Sequence, residues 1–392
     1  MAYSDEDLNS AVAAGAISDE AATALRAHVS QMRDMPRGDE ENFRLINSFN
    51  DIFVSIGVVI LLVAVGAIGR SVADIFVPDP GWSGMADLSE TQWEAHRAAR
   101  DLAQAAALAV SGLFVAITAW PLAEFFTRKR RMALPSIILL LSFVGGAFLA
   151  TLGLGMTLME TINESLGAVL GACAAAIAAL AAYVHWRRFI VPITIAAGAG
   201  AVAGTIISLI SAVIGPERID ETVVLGLVFV AGLAIFAFAM RWDISDKERT
   251  TRRADVAFWL HLLAAPMIAH PVFNAMGVLD GGSDVGIGTA VAVIAIYVLF
   301  GLVALAIDRR ALLVSALAYV LAALTFLFDR FGAVELNFAL TALVIGSALL
   351  SLSAFWSPIR SKVVGALPQG LQSMLPATTI GEPIPAATAA SS

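Results

Sequence analysis

Apolar and polar positions segregate along this chain into long blocks rather than alternating at strand or helix period. Apolar runs cover 52–70, 103–124, 132–156, 164–184, 189–214, 222–240, 255–277, 285–307, 311–328 and 337–356. Each is close to the roughly 20 residues a helix needs to cross about 30 Å of hydrocarbon. The pattern predicts an all-α fold, a polytopic transmembrane helix bundle of about ten spans.

The polar connections between these runs are of two kinds. Lys and Arg collect in alternate ones: "TRKRR", "HWRR", "RWDISDKERTTRR", "DRR" and "SPIRSK". Basic residues are retained on the cytoplasmic side during insertion. This assignment places 19 of the 24 basic residues inside and leaves Arg70, Arg97, Arg100, Arg218 and Arg330 outside. Both termini are then cytoplasmic. Of the 32 acidic residues 17 fall on the same side, so the net charge of -8 divides into about +2 inside and about -10 outside. An anionic outer surface could concentrate cations, and depletion of Lys and Arg from translocated loops yields the same asymmetry with no function behind it.

Arg-Arg pairs open four of the inward-starting runs, at 130–131, 187–188, 252–253 and 309–310, with 57 residues between the first two and between the last two. Repeated four-helix units would give this spacing, and so would helical hairpins of similar length. The fourth and fifth runs carry "GAVLG" (Gly167, Gly171) and "GAVAG" (Gly200, Gly204), in which glycines four apart expose backbone on one face. Such faces let helices approach closely, and the two runs are expected to pair.

The chain divides into a cytoplasmic helical hairpin (1–35), a linker (36–51), a transmembrane domain (52–356) and a cytoplasmic tail, largely disordered (357–392). In the hairpin, Gly15 ends one helix and Ser18 starts the next. Two short helices bury too little surface to stand alone, so Leu8, Val12, Leu25 and Val29 are expected to dock on the membrane domain or on a protein partner. In the outer loop 71–101, Ser89 and Gln92 form a capping box that starts a helix leading into the second run. His96, Arg97 and Arg100 form the one basic cluster outside, read either as a contact to phosphate headgroups or as an interfacial anchor.

Composition narrows the chemistry. The chain is 59% hydrophobic and 14% charged, which fits the lipid bilayer as its partner and gives no basic surface for nucleic acid. The polar first 50 residues lack a cleavable targeting pattern, so the first run is expected to direct insertion. One cysteine, Cys173, excludes an intrachain disulfide and a cysteine-based metal cluster. Paired carboxylates, a His-Glu-x-x-His site and a phosphate-cradling loop are not found, and "DGGSDVG" at 280–286 reads as a turn. Neither enzymatic activity, cofactor nor metal is therefore expected.

The seventh run is the most polar, with Pro266, His270, Pro271 and Asn274 in its outer half. His270 and Asn274, four apart, share a face, whereas His261 points the other way, so the two histidines do not form one site. The two prolines remove amide donors and free the carbonyls of Leu262 and Met267. These groups either line a hydrated cavity or bond to adjacent spans and shape a kink.

The stretches "AVAAGAISDEAATALR", "DEENFRLINSFNDIFVSIGVVILLVAVG" and "WPLAEFFTRKRRMALPSIILLLSFVGG" resemble a family of uncharacterised multi-pass bacterial inner-membrane proteins with a helical cytoplasmic N-terminal domain of unknown function. The resemblance implies a location in the bacterial inner membrane and a topology; it carries no activity. Two functions remain open. Many spans and intramembrane polar groups suit a transporter or permease for a small solute or ion. Scarce charge within the spans and a docking hairpin suit a membrane scaffold or envelope-assembly factor. The sequence does not fix the oligomeric state.

Overall fold

The computed structural model describes residues 5–25, 49–81, 88–159, 164–215, 218–247, 249, 251–277, 287–330 and 337–376. The regular structure of the described residues is all helical, without strand. Two short helices, α1 (Asp5–Ala13) and α2 (19–25), precede the bundle. Gly15 turns the chain between them at φ +70°, a conformation open to glycine at no steric cost, and the Ser18 hydroxyl accepts from the Ala21 amide at the start of α2.

The bundle consists of α3 (Phe49–Phe76), α4 (Glu90–Ala123), α5 (Ala133–Leu158), α6 (Glu164–Phe189), α7 (Ile193–Ile214), α8 (Glu221–Ile244), α9 (Arg252–Asn274), α10 (Ile287–Ile307), α11 (Ala311–Arg330) and α12 (Asn337–Ala354). Two terminal helices follow, α13 (Trp356–Gly365) and α14 (Gln369–Gln372). Among the described residues eight helices are long and apolar enough to cross a membrane, up to nine if the bent pair α12–α13 is one span. The protein is a multi-pass helical membrane protein.

The last apolar run departs from a simple span. α11 is continuous over Ala311–Arg330, whereas α12 breaks at Phe355 into α13 with a bend of 75°. Pro358, in the first turn of α13, has no amide proton to give to Ala354, and Phe355 leaves helical backbone at ψ 21°, which together place the bend here. The boundary expected between bundle and tail at 356/357 therefore falls inside an ordered corner, with Trp356, Arg360 and Val364 buried.

Sequential neighbours make most of the packing, in the order α3 on α4, α4 on α5, α5 on α6, α6 on α7, α8 on α9 and α10 on α11. α9 joins the two halves: it also packs on α7 and α11, and 56% of its membrane window is buried, against 17–39% in the other seven spans. The tightest crossing is α4–α5, which the glycine patterns did not single out. A Cβ on Gly153 would lie 2.4 Å from the Ala109 amide nitrogen, and one on Gly112 would lie 2.6 Å from that of Ala150. In α6–α7, Gly171 and Gly204 make ordinary contacts with Ser208 and Ala175, while Gly200 faces Leu263 of α9.

The basic connections are built alike. Among the described residues four non-glycine positions have left-handed backbone, Arg131, Ile190, Arg249 and Asp308, and each follows the last by 59 residues, just before α5, α7, α9 and α11. The repeated unit is the helical hairpin: one helix descends, the chain turns through a single left-handed residue, and the next ascends. Holding a non-glycine residue there costs on the order of 1–2 kcal/mol, so the surrounding contacts must fix it.

Candidate functional site: a buried ion network at the basic end

The hairpin turns at α8–α9 and α10–α11 bring together acidic and basic side chains that are 66 residues apart in sequence. Asp243 lies one residue before the end of α8, and Arg309 follows the left-handed Asp308. Arg309 Nη2 donates to Asp243 Oδ1 at 2.6 Å and to the Ala254 carbonyl at 3.1 Å, and Nε reaches Oδ2 at 3.4 Å. From two turns inside α9, His261 Nε2 lies 2.9 Å from Oδ2 of the same carboxylate. All three side chains are sealed, with 1% of Asp243, 4% of Arg309 and 2% of His261 exposed. Phe236 of α8 sits edge-on to the imidazole at 5.1 Å between ring centres. One polar atom is left over: His261 Nδ1 is buried with no hydrogen-bond partner.

A second, half-buried layer lies around Asp308. Arg249 Nη1 donates to its carboxylate at 2.7 Å, and Nη2 reaches the carbonyls of Ile307 and Asp308 at 3.2 Å, so two of the left-handed turn residues lock each other. Trp356 Nε1 donates to Asp308 Oδ1 at 2.7 Å, with Arg360 Nε 3.7 Å from the same oxygen and the Arg310 guanidinium 4.6 Å from the Trp356 ring centre. Arg360 Nη2 also donates to the Pro376 carbonyl at 2.7 Å, and Lys247 Nζ to that of Ser373, so the segment after α14 is strapped beside the network. Asp246 completes the α8–α9 turn by accepting from the Thr251 hydroxyl at 2.6 Å.

Sequence reasoning assigned these residues to orientation alone. "RWDISD" and "IDRR" each place an aspartate at the end of an apolar run beside arginine. That was the available signal: a carboxylate at the membrane edge needs a cation, and the nearest unassigned cations were in the next basic connection.

The residues singled out in advance lie elsewhere. His270 Nδ1 is 2.6 Å from the Tyr319 hydroxyl of α11, whose ring stacks on Phe273 at 4.4 Å. Pro266 and His270 are exposed on the bundle surface, Pro271 is buried and Asn274 half-buried near the end of α9. The two histidines of α9 thus serve separate partners. Between α3 and α4, His96 Nε2 contacts the Gly81 carbonyl at 2.9 Å, Arg100 lies 3.5 Å from Asp79 and Arg97 stacks 4.2 Å over Trp93. His96 and Arg100 bind the loop to α4, and Arg97 edges an open groove of about 470 Å³ with Trp93 and Glu94. Leu8 and Val12 are half-buried, Leu25 is exposed, and Val29 lies outside the described residues. The buried His185 sits in an aromatic nest of Trp120, Phe143 and Phe189, with Thr194 Oγ1 at 3.5 Å from Nδ1.

Among the described residues no group of three or more His, Cys, Asp or Glu is placed to hold a metal ion. No protein-family model, curated protein or solved structure matches the chain, so the resemblance of its N-terminal third is not extended to a family membership.

Proposed function

We propose that this protein is a permease-like carrier of a small solute or ion, without enzymatic activity, in a bacterial inner membrane with its basic end in the cytoplasm. The supporting observation is the sealed Asp243–Arg309–His261 network. Ionisable groups are costly inside a membrane protein, and desolvating each ion of such a pair costs several kcal/mol that a well-packed apolar set would not incur. A network of this kind closes one end of a helix bundle through a few short polar contacts, and water entering between α8, α9 and the α10–α11 turn would dissolve it. It therefore suits a closure that opens.

The scaffold reading has its own support in α9, where Ala257, Ala264, Ala265 and Ala269 are fully buried against neighbouring helices. Cysteine accessibility separates the two. In a Cys173→Ser background, the Ala264→Cys variant in lipid nanodiscs is expected to react with a hydrophilic thiol reagent, and Asp243→Asn to accelerate the reaction. Complete protection of that thiol in both backgrounds would put the scaffold reading in front.

A further inference from the structure

We propose that His261 Nδ1 is a proton-binding site and that its occupation drives opening of the basic end of the bundle. The inference rests on the permease reading and names a proton as the ligand of that same network. Its basis is geometric. Asp243, held by Arg309 through Oδ1, is a carboxylate and accepts only; the Nε2 that meets its other oxygen at 2.9 Å therefore carries the imidazole hydrogen. A neutral imidazole has one N–H, so Nδ1 keeps a lone pair, and that atom is buried without a partner. The site accepts one proton from water at the basic end and returns it by the same route; no other bond changes.

The consequence follows from the charges around the ring. Unprotonated, the core holds one carboxylate against one guanidinium. Protonated, it holds two cations against one carboxylate, with a new N–H donor facing no acceptor, both unfavourable away from water. Asp255, in the first turn of α9, is within charge range of Arg309 and also of Arg252, which balances it. The α8–α9 connection supplies Arg249, bound to Asp308, and Asp246, bound to Thr251. α9 itself carries Arg252, Arg253 and Asp255, the α10–α11 turn adds Arg310, and α13 adds Arg360 beside Asp308. Between Ile193 and Ile214, α7 has no ionisable residue. Water reaching Nδ1 relieves both problems, and it reaches Nδ1 by parting α9 from α8 and from the α10–α11 turn.

The test uses the full chain in nanodiscs, the Cys173→Ser background and Ala257→Cys, fully buried one turn from His261 toward the basic end. Val256→Cys, also buried and close in volume, serves if Ala257→Cys does not fold. Labelling by a hydrophilic maleimide is normalised at each pH to the exposed Ser361→Cys variant, which removes the intrinsic pH dependence of thiols. The normalised rate is expected to rise about fivefold as pH falls from about 8 to about 4.5, an interval that reaches below the ordinary range of imidazole because charging the sealed ring is unfavourable. His261→Gln, which retains an N–H donor for Asp243 and gains no proton, is expected to abolish the rise. An equal rise in His261→Gln, or no rise with histidine present, overturns the proposal. Labelling at both 257 and 264 without pH dependence would leave the permease standing and remove the proton; pH-dependent labelling at 257 with 264 always protected would do the reverse.

Discussion

The first two hairpins and the last two share a turn design and differ in what holds their turns together. Between the α4–α5 and α6–α7 turns the link is Glu124 to Arg188, with 29% and 43% of the side chains exposed. Between the α8–α9 and α10–α11 turns the links are Arg249–Asp308, about a fifth exposed, and Asp243–Arg309, sealed. The first half has its closest contacts along the α4–α5 crossing, where the Gly112, Gly146 and Gly153 backbones nearly touch those of their partners. Close packing also occurs in the second half, at Gly232 of α8 against Met267 of α9, so what sets that half apart is the sealed charge added to it. Packing is insensitive to pH and hydration, whereas buried charge responds to both.

The largest effect that tests this contrast is expected from Arg309→Ala. It leaves Asp243 buried without its guanidinium, a loss of about 3–5 kcal/mol. It should appear as a large fall in the melting temperature of the purified protein. Asp243→Leu combined with Arg309→Met and His261→Phe, which leaves no polar member of the network unpaired, should recover most of the loss; failure to recover would mean that the network is more than a compensated ion pair.

Next is Gly153→Val in the first half. Its Cβ would lie 2.4 Å from the Ala109 amide nitrogen, so α4 and α5 must separate, at a cost of at least about 1–3 kcal/mol. Melting curves recorded with and without added salt should show the same loss. A loss relieved by salt would contradict a half fixed by packing.

Trp356→Phe removes one hydrogen bond to Asp308 and is expected to cost about 1 kcal/mol. Because the α13 corner would loosen, limited proteolysis should cut sooner after residue 365. Smallest is Glu124→Gln: exposed ion pairs contribute little, and no resolvable change in melting temperature is expected. A clear destabilisation would show the two halves to be more alike than their exposure indicates.

The helices were legible because each span carries its own hydropathy, and their starts because caps are local: Ser89 and Gln92 make the reciprocal pair that their spacing indicates. The left-handed turns were not legible. Arg131, Ile190, Arg249 and Asp308 have no residue type common to all four, and glycine, the usual mark of such backbone, stands at none of them. The 57-residue spacing of arginine pairs was a blurred trace of the hairpin period. The network was hidden for a different reason. Asp243 and Arg309 belong to separate connections, and counting charge by side treats every arginine as an orientation signal. His261 was set aside because it cannot share a face with His270, and that same geometry turns it toward Asp243.

The central claim is that the buried charge network is a closure that opens and not a permanent staple. Spin labels on the exposed Ser245, at the end of α8, and the exposed Lys362, on α13, flank it. Distances between them, measured by double electron–electron resonance in nanodiscs, should show two populations, with the longer one enriched by Asp243→Asn. A single narrow population, unchanged by Asp243→Asn in a protein that remains folded, would contradict the claim.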